Sequence, residues 1–441
     1  MAEKINLLYY ANCFAEVKLN LSSRTGIYFV VCNILKKLKE DNRFNIYLFV
    51  HPAYNNLIND FAADPFLSQF KFLTLDDPQR IYKAITVAHF KNMIKARNIS
   101  IFIYILKIAK NCFMYIFSKI RGTTGKNTES LKNIDAFFSP QEKVPDVIMK
   151  YSHIKQFIFL YDTLHVLFPQ YYDNYNWKKS PHWPGNLYRN LNKKTYYFCD
   201  SESTKHDFFK LFGKKLDHNK MKVSLLAAAN DYIVNRDQDN LNVVLTKYKI
   251  PQEARKKYVF SLCILDPRKN VIFTVKCFLK FIKKHDIKDL YFYLGGGSWT
   301  DFYQKMAQSI SDLDKYTGKI IQTGYIDDTD VNTFYSNALF FAYISEYEGF
   351  GIPPLEAMQS GTPVITSNNS SLPEVVGDAA IMIDYNSEEQ CIKAFEVLYF
   401  NDELRKSYIA KGLERSKLFS WDKTVGIIAD TIVDTTKHEK N

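Results

Sequence analysis

The sequence predicts an α/β protein built from two doubly wound, parallel-sheet domains. Two observations carry that expectation. Short apolar runs of strand length alternate with segments of helical length, and the alternation occurs twice along the chain. The chain is also 441 residues long, which is long for one domain and comfortable for two, each able to bury its own core.

In the first half, Ile5–Tyr10, Phe44–Val50, Gln156–Leu160 and Thr195–Cys199 read as strands, and Gly26–Leu38 has helical length with apolar residues on most turns. Ser203 reads as the N-cap of a helix that runs to Phe212 and stops at Gly213. In the second half, Tyr258–Leu262, Leu290–Leu294, Lys319–Gln322, Leu339–Tyr343, Pro363–Thr366 and Ala380–Ile383 read as strands. Asn270–Lys284 is a helix with Ile272, Val275, Phe278, Leu279 and Ile282 on one side, and Gly295-Gly296-Gly297 closes a strand. The expected division is 1–229 for the first domain and 230–419 for the second. The polar stretch Asn230–Asn242 is the linker. A helical tail, 420–441, anchored by Trp421, crosses back to the first domain.

Composition narrows the class. With 46% hydrophobic and 24% charged residues the chain reads as an ordinary soluble globular enzyme. The seven cysteines are scattered, with no Cys-x-x-Cys pair and no His cluster beside them. That pattern fits reduced thiols in a cytosol and argues against a disulfide framework or a zinc site. The N-terminus turns polar too quickly for a secretory signal and reads as a buried strand.

The net charge of +11 is local. No acidic residue lies between Asp77 and Glu129, while Arg80, Lys83, Lys91, Lys95, Arg97, Lys107, Lys110, Lys119, Arg121 and Lys126 do. Within it Ile99–Phe117 is strongly apolar, but Lys107, Lys110 and Asn111 interrupt it, so it does not read as a spanning helix. A basic amphipathic segment (78–128) lying on an anionic membrane surface fits better. The alternative is a core helix pair with a solvated basic face. No reader motif accompanies the charge, so nucleic acid is not an expected partner.

The chemistry concentrates in Ser345-Glu346-Tyr347-Glu348-Gly349-Phe350-Gly351-Ile352-Pro353-Pro354-Leu355-Glu356-Ala357-Met358, directly after an apolar strand. Gly349 and Gly351 permit a tight turn and close approach of backbone to a ligand. Pro353 and Pro354 suit a first helical turn, so a helix N-terminus favourable to phosphate follows the turn. Two carboxylates frame it, Glu348 before the turn and Glu356 in the first helical turn, and carboxylates accept hydrogen bonds from sugar hydroxyls.

This stretch resembles the Glu-x7-Glu motif of family 4 retaining glycosyltransferases. The resemblance continues through Gly361-Thr362-Pro363-Val364-Ile365, Ser371–Ala380, Gly324-Tyr325-Ile326 and Asp266-Pro267-Arg268-Lys269-Asn270, covering most of 255–385. It is thinner in the first half, at Arg24-Thr25-Gly26-Ile27, Tyr161-Asp162 with Phe168-Pro169, and Ser201–Asp207. It implies the GT-B architecture, two Rossmann-like domains facing a cleft, and a hexosyl transfer from a nucleotide-sugar.

The resemblance also implies roles. Glu348 would sit by the donor sugar, and Lys269 with Arg268 would neutralise the leaving diphosphate. Gly349, Phe350 and Gly351 would offer backbone N–H groups, with Leu355 on the same donor side, and Glu356 would hold the ribose. Tyr325 and Ile326 would face the base. Gly26 would face the donor, and Asp162 would act from the first domain. A GDP- or UDP-sugar is the expected substrate, no metal or other cofactor is needed, and no Asp-x-Asp metal motif stands in a matching position. The expected acceptor is a glycan or lipid-linked saccharide of a bacterial O-antigen or capsule, with the protein cytoplasmic and peripheral on the inner face of the cell membrane. The chain departs from the family pattern where Cys263 replaces a usual Gly, Ile264 a phosphate-binding Arg of some members, and Tyr161 a frequent His. A GT-B-type sugar epimerase and a non-catalytic nucleotide-sugar-binding relic are the alternatives.

Overall fold

Thirteen strands order the described part of the chain into two sheets. The computed structural model describes residues 3–20, 26–74, 129–172, 175–180, 183–264, 266–297 and 317–437. Arg24, Thr25 and the basic segment 78–128 lie outside the described residues.

The first sheet has the order β3-β2-β1-β4-β5-β6-β7. Its strands are β1 (Ile5–Tyr10), β2 (Phe44–Phe49), β3 (Lys71–Phe72), β4 (Ala136–Ser139), β5 (Lys155–Leu160), β6 (Tyr196–Cys199) and β7 (Met221–Val223). β1 pairs in parallel with both β2 and β4, Leu7 standing opposite Ile46 on one side and Ala136 on the other. The second sheet repeats the pattern as β10-β9-β8-β11-β12-β13, formed by β8 (Lys257–Leu262), β9 (Leu290–Gly295), β10 (Ile320–Gly324), β11 (Phe340–Tyr343), β12 (Val364–Ser367) and β13 (Ala380–Ile383). In both sheets the order reverses beside the first strand, between β1 and β4 and between β8 and β11. Ligands of doubly wound folds bind at such switch points, outside the carboxyl ends of the strands. The doubly wound parallel class expected from the alternation is therefore the observed one.

The strands of the second sheet are continuous apolar runs because helices cover both faces. β9 is buried along its whole length. The helix Val271–Lys284 buries Val271, Val275, Phe278, Leu279 and Ile282 at helical spacing against Phe292, Leu294 and Phe340. Each such side chain contributes roughly 1.5–3 kcal/mol on burial. This packing fixes where the β8 and β11 ends emerge.

By packing, the chain divides into two compact units, neither contiguous in sequence. One holds the described parts of 1–159, 194–197 and 425–441, the other those of 160–193 and 198–424. This division does not follow the linear boundary expected at 229/230: Thr163, Tyr171, Ser201, Thr204 and Asp207 bond to the turn that follows β11. Two further expectations shift. The polar linker Asn230–Asn242 is partly helical: Gln238–Lys247 is a helix whose N-cap, Asp237, accepts the N–H groups of Asp239 and Asn240. The helix after β6 starts at Glu202, capped by Ser201 and not Ser203.

Candidate active site

The site is assembled from two strand ends. After β8 the chain keeps one more sheet-like bond, Cys263 N–H to Gly295 O at 3.0 Å. Gly296 must be glycine there, since a Cβ would lie 2.0 Å from the Cys263 carbonyl oxygen. Asp266 then caps a short turn, accepting the Arg268 N–H at 3.0 Å, and Asn270 leaves the turn in the left-handed region at φ 54°. Arg268 and Lys269 are thus placed beyond the carboxyl end of β8, on the short turn Pro267–Lys269 that leads into the Val271–Lys284 helix. From β11, Ile344 to Gly351 form the facing turn. The two turns are tied by backbone, Glu346 N–H donating to Arg268 O at 2.8 Å and Ser345 Oγ to the same oxygen at 3.1 Å.

Glu348 sits between the two cations. Arg268 Nη1 donates to Glu348 Oε2 at 2.8 Å and to the Tyr347 carbonyl at 2.9 Å. Lys269 Nζ donates to Glu348 Oε1 at 2.7 Å, and Tyr343 OH donates to the same oxygen at 2.9 Å. Lys269 also donates to the Tyr343 hydroxyl and lies 4.9 Å from its ring centre. Glu348 is only 7% exposed. Burial alone would raise its carboxyl, but Lys269 and Arg268 override that and hold it down at about 2. Burial lowers the Lys269 ammonium from its ordinary value, with Glu348 pulling the other way. Arg268 stays charged against burial because Glu348, Tyr343, Asp266 and Asp162 surround it. Its Nε is buried and has no partner among the described residues.

The turn beyond Glu348 is fixed on all sides. Glu348 N–H donates to Ser370 Oγ at 3.0 Å, and Ser371 Oγ donates to the Glu348 and Phe350 carbonyls at 2.9 and 2.6 Å. Ser201 Oγ donates to Gly349 O at 2.7 Å, with Thr204 Oγ1 adding 3.3 Å to the same oxygen and 2.7 Å to Tyr161 O. A Cβ at Gly349 would stand 2.5 Å from Tyr161 O and 3.2 Å from Asp162 Cβ, so this glycine is where the backbones of loops 161–163 and 347–351 meet. Among the described residues the N–H groups of Gly349 and Phe350 have no hydrogen bond. They are available to an anion at the mouth of the turn.

The other expected site residues divide. Asp162 lies at this turn, and its Oδ1 accepts the Leu164 N–H at 3.0 Å, so that oxygen caps the short helix Leu164–Leu167. Tyr161 is buried and meets Gly349 through its carbonyl. The Phe350 ring packs at 5.9 Å on Phe419, and Leu355 is fully buried, so neither side chain joins the ionic group. Glu356 lies one turn inside the helix Ile352–Gln359, which starts at Ile352 and has no acidic residue in its first turn. It engages a separate partner, accepting from Tyr335 OH at 3.0 Å. Tyr325 is 63% exposed after β10, whereas the Ile326 side chain is buried. Gly26 opens the helix Gly26–Glu40 in the other unit, with open space about its α-carbon.

Sequence reasoning did not single out Tyr343, which reads as one more apolar strand position, nor Ser201 and Thr204 as partners of Gly349. It also passed over Tyr335, whose only sequence signal is a hydroxyl at a position where phenylalanine would pack as well.

Residues 246–415 match the model of the family described as glycosyl transferases group 1. O-antigen chain mannosyltransferase B of Escherichia coli is 30% identical over 236 residues, which are 54% of this chain and 60% of that protein. Serotype-specific mannosyltransferase WbdA of Escherichia coli is 24% identical over 206 residues, 46% of this chain and 24% of that protein. The chain thus spans only those fractions of the relatives' own length. In three dimensions, a glycosyltransferase from Rickettsia africae ESF-5 superposes with a TM-score of 0.63 at 15% identity, over 99% of this chain and 100% of that one. At such identity the likeness is one of fold, and it extends over nearly the whole chain.

Proposed function

We propose that the chain is a retaining, metal-independent hexosyltransferase of bacterial surface-polysaccharide synthesis. It moves mannose or a similar hexose from a GDP- or UDP-sugar to a glycan or lipid-linked saccharide. The observation that carries this reading is the Arg268–Glu348–Lys269 group at the β8/β11 switch point, inside the segment that matches the family model. The names of the two mannosyltransferase relatives support mannose, and the name of the first supports an O-antigen product. Retention rests on the resemblance of the Glu348–Glu356 stretch.

The chemistry asks for little beyond what these residues supply. The C1–O bond to the diphosphate breaks and its electron pair leaves with the nucleoside diphosphate, where negative charge grows. Lys269 and Arg268 stabilise that charge, together with the N–H groups of Gly349, Phe350 and Gly351. The acceptor oxygen forms the new C1–O bond on the same face, and its proton passes to the departing phosphate oxygen. Glu348, held ionised, keeps both cations in place and accepts from sugar hydroxyls. Glu356 takes the ribose, the backbone at Tyr325 and Ile326 the base, and Asp162 stands toward the reacting sugar.

The acceptor is met at the inner face of the cell membrane, with segment 78–128 resting on the anionic leaflet. Among the described residues no helix is long and apolar enough to cross a membrane. The test is a reaction of the purified protein with GDP-mannose and the common UDP-hexoses, with and without a lipid-linked saccharide acceptor. Acceptor-dependent release of GDP or UDP and an anomer matching the donor's are expected, and both are lost in Glu348→Ala and Lys269→Ala. Donor conversion without acceptor would mark an epimerase, and no turnover with any donor would sink the reading.

A further inference from the structure

We propose that the cavity at the carboxyl ends of β12 and β13 is a saccharide subsite, holding a pyranose ring of the acceptor chain beyond the unit that receives the new sugar. That the saccharide belongs to the acceptor rests on the transferase reading. That the cavity takes a saccharide rests on its own chemistry.

The end of the ladder makes the cavity. β12 and β13 pair in parallel as far as Ser367 and Ile383, and Asn368 N–H adds one last bond to Ile383 O at 2.8 Å. Beyond that bond the chains part. One turns at Asn369, whose carbonyl accepts the Leu372 N–H at 3.2 Å, and the other at Asp384, whose carbonyl accepts the Ser387 N–H at 3.0 Å. Between the two turns lies a cavity of about 370 Å³. Ligand pockets start at about 300 Å³, so this one is small for a nucleotide and suited to a sugar ring.

The lining selects the ligand class. Among the described residues no lysine, arginine, histidine or cysteine lines it, so neither a phosphate nor a soft metal finds partners there. Three carboxamides do line it, those of Asn368, Asn369 and Gln390. A carboxamide presents a donor and an acceptor side by side, which is what vicinal ring hydroxyls require. Met382, Ile383 and Tyr385 supply apolar surface for the C–H face of the ring.

Much of that polar capacity is unspent. Asn368 is exposed, and its carboxamide has no hydrogen bond among the described residues. Gln390 Oε1 accepts the Asp384 N–H at 2.8 Å, which leaves Nε2 to donate. Asn369 Nδ2 donates to Glu346 O at 2.7 Å, while its Oδ1 is a buried acceptor with no donor among the described residues. A buried acceptor in that state calls for a partner, and a hydroxyl held in this cavity provides one.

The walls of the cavity are bonded to the ionic group. On one wall Asn369 reaches Glu346 O, and the next residue, Ser370, accepts the Glu348 N–H at 3.0 Å. On the other wall Tyr385 O accepts from Asn270 Nδ2 at 2.6 Å, and Asn270 follows Lys269 directly. Neighbouring strands lie about 4.8 Å apart. The cavity over β12 and β13 therefore begins about one strand spacing from the end of β11, a distance comparable to the length of one sugar residue.

Met382 reports on the cavity from its floor. The protein is labelled with 13C-methyl methionine, and the Met382 signal, one of eight, is assigned with Met382→Leu, a volume-conserving change. Methyl glycosides of mannose, glucose, galactose and N-acetylglucosamine are titrated in without nucleotide. At least one should move the Met382 signal saturably. Asn368→Ala, at an exposed turn position, should weaken that binding about tenfold with an unchanged thermal midpoint. A Met382 signal that none of the glycosides moves, or binding that Asn368→Ala leaves intact, would overturn the proposal. Transfer is then compared on acceptors of one and of three sugar units. Asn368→Ala should raise KM about tenfold for the longer acceptor and leave KM for the shorter one as it was. Equal KM values in variant and wild type for both would mark the cavity as a site for a free monosaccharide and overturn the acceptor assignment. Saccharide binding here without turnover of any donor would sink the transferase reading alone, and turnover with a silent Met382 would sink this proposal alone.

Discussion

Ser201 Oγ donates to the carbonyl of Gly349 at 2.7 Å and itself accepts the N–H of Thr204 at 2.9 Å. One side chain therefore caps the helix Glu202–Phe212 and anchors the turn that presents Glu348. Ser201→Ala loses both bonds and leaves a buried carbonyl short of a donor, at a cost of about 1–3 kcal/mol. The expected outcome is a lower thermal midpoint together with reduced transferase activity, both largely restored in Ser201→Thr. A variant with the wild-type midpoint and wild-type activity would show that the Gly349 carbonyl does not depend on this bond.

Gly349 answers for the opposite side of the same turn. A methyl group there would stand 2.5 Å from Tyr161 O and 2.9 Å from Asp200 Oδ2, and the first of these is backbone that cannot swing away. Gly349→Ala must push loop 161–163 off the turn. Overpacking of this kind costs about 1–3 kcal/mol, and a displacement of the Glu348 backbone follows. The measurable result is a fall in kcat larger than the change in nucleotide affinity, because the cations of the site stay on the undisturbed β8 turn. Equal loss in both would place the damage in the whole fold.

Glu348 gives the molecule an acid-sensitive element. Its folded carboxyl is held at about 2, below the ordinary 4.5. A depressed value means that the ionised form contributes stability above about pH 4.5, which is lost as the pH falls toward 2. Glu348→Gln leaves Arg268 and Lys269 buried without their carboxylate, a loss of roughly 3–5 kcal/mol where one partner of a buried pair is removed. The destabilisation should be largest between pH 6 and 8 and should fade below pH 4. Thermal midpoints of both proteins across that range check it, and a pH-independent gap would mean that the carboxylate does not carry the charge assigned to it.

The sequence made the second unit legible for physical reasons that can be traced to residues. β8, β9 and β11 are unbroken apolar runs ended by turn residues, because both faces of that sheet are covered, and Lys269 and Glu348 follow such runs directly. Ala136–Ser139 was not legible. Four residues are too few to show a period. Asp237-Gln238-Asp239-Asn240 read as linker because the helix it opens buries only Val244 and Leu245. At the site, charged residues announced themselves, whereas Tyr343 and Tyr335 act through hydroxyls on rings that look like core. The packing of loops 161–163 and 201–204 on Gly349 is a long-range contact that no local pattern encodes. It moves the boundary between the packed units away from residue 229.

The first sheet carries a titrating group of the opposite sign at its own switch point. Asn12 follows β1 and Glu142 follows β4. Asn12 Nδ2 donates to Glu142 Oε1 at 3.0 Å and to Tyr10 OH at 2.9 Å, while Asn12 Oδ1 accepts the His51 N–H at 2.7 Å. Burial pushes the Glu142 carboxyl up to about 7. The Asn12 bond works against that, Glu16 adds to it, and Lys143 opposes it. A carboxyl whose folded value is raised contributes its full stability below the unfolded value of 4.5 and loses it as the pH rises through about 7. Glu142→Gln keeps an acceptor for Asn12 and removes the titration. The variant should therefore match the wild type near pH 4.5 and exceed it at pH 8 by about 1–3 kcal/mol, read as a higher thermal midpoint. The gap should open between those two values and be flat above about pH 8. A constant offset at all pH values would show that the native carboxyl is already ionised at pH 5, and that the Asn12 bond outweighs burial at this position.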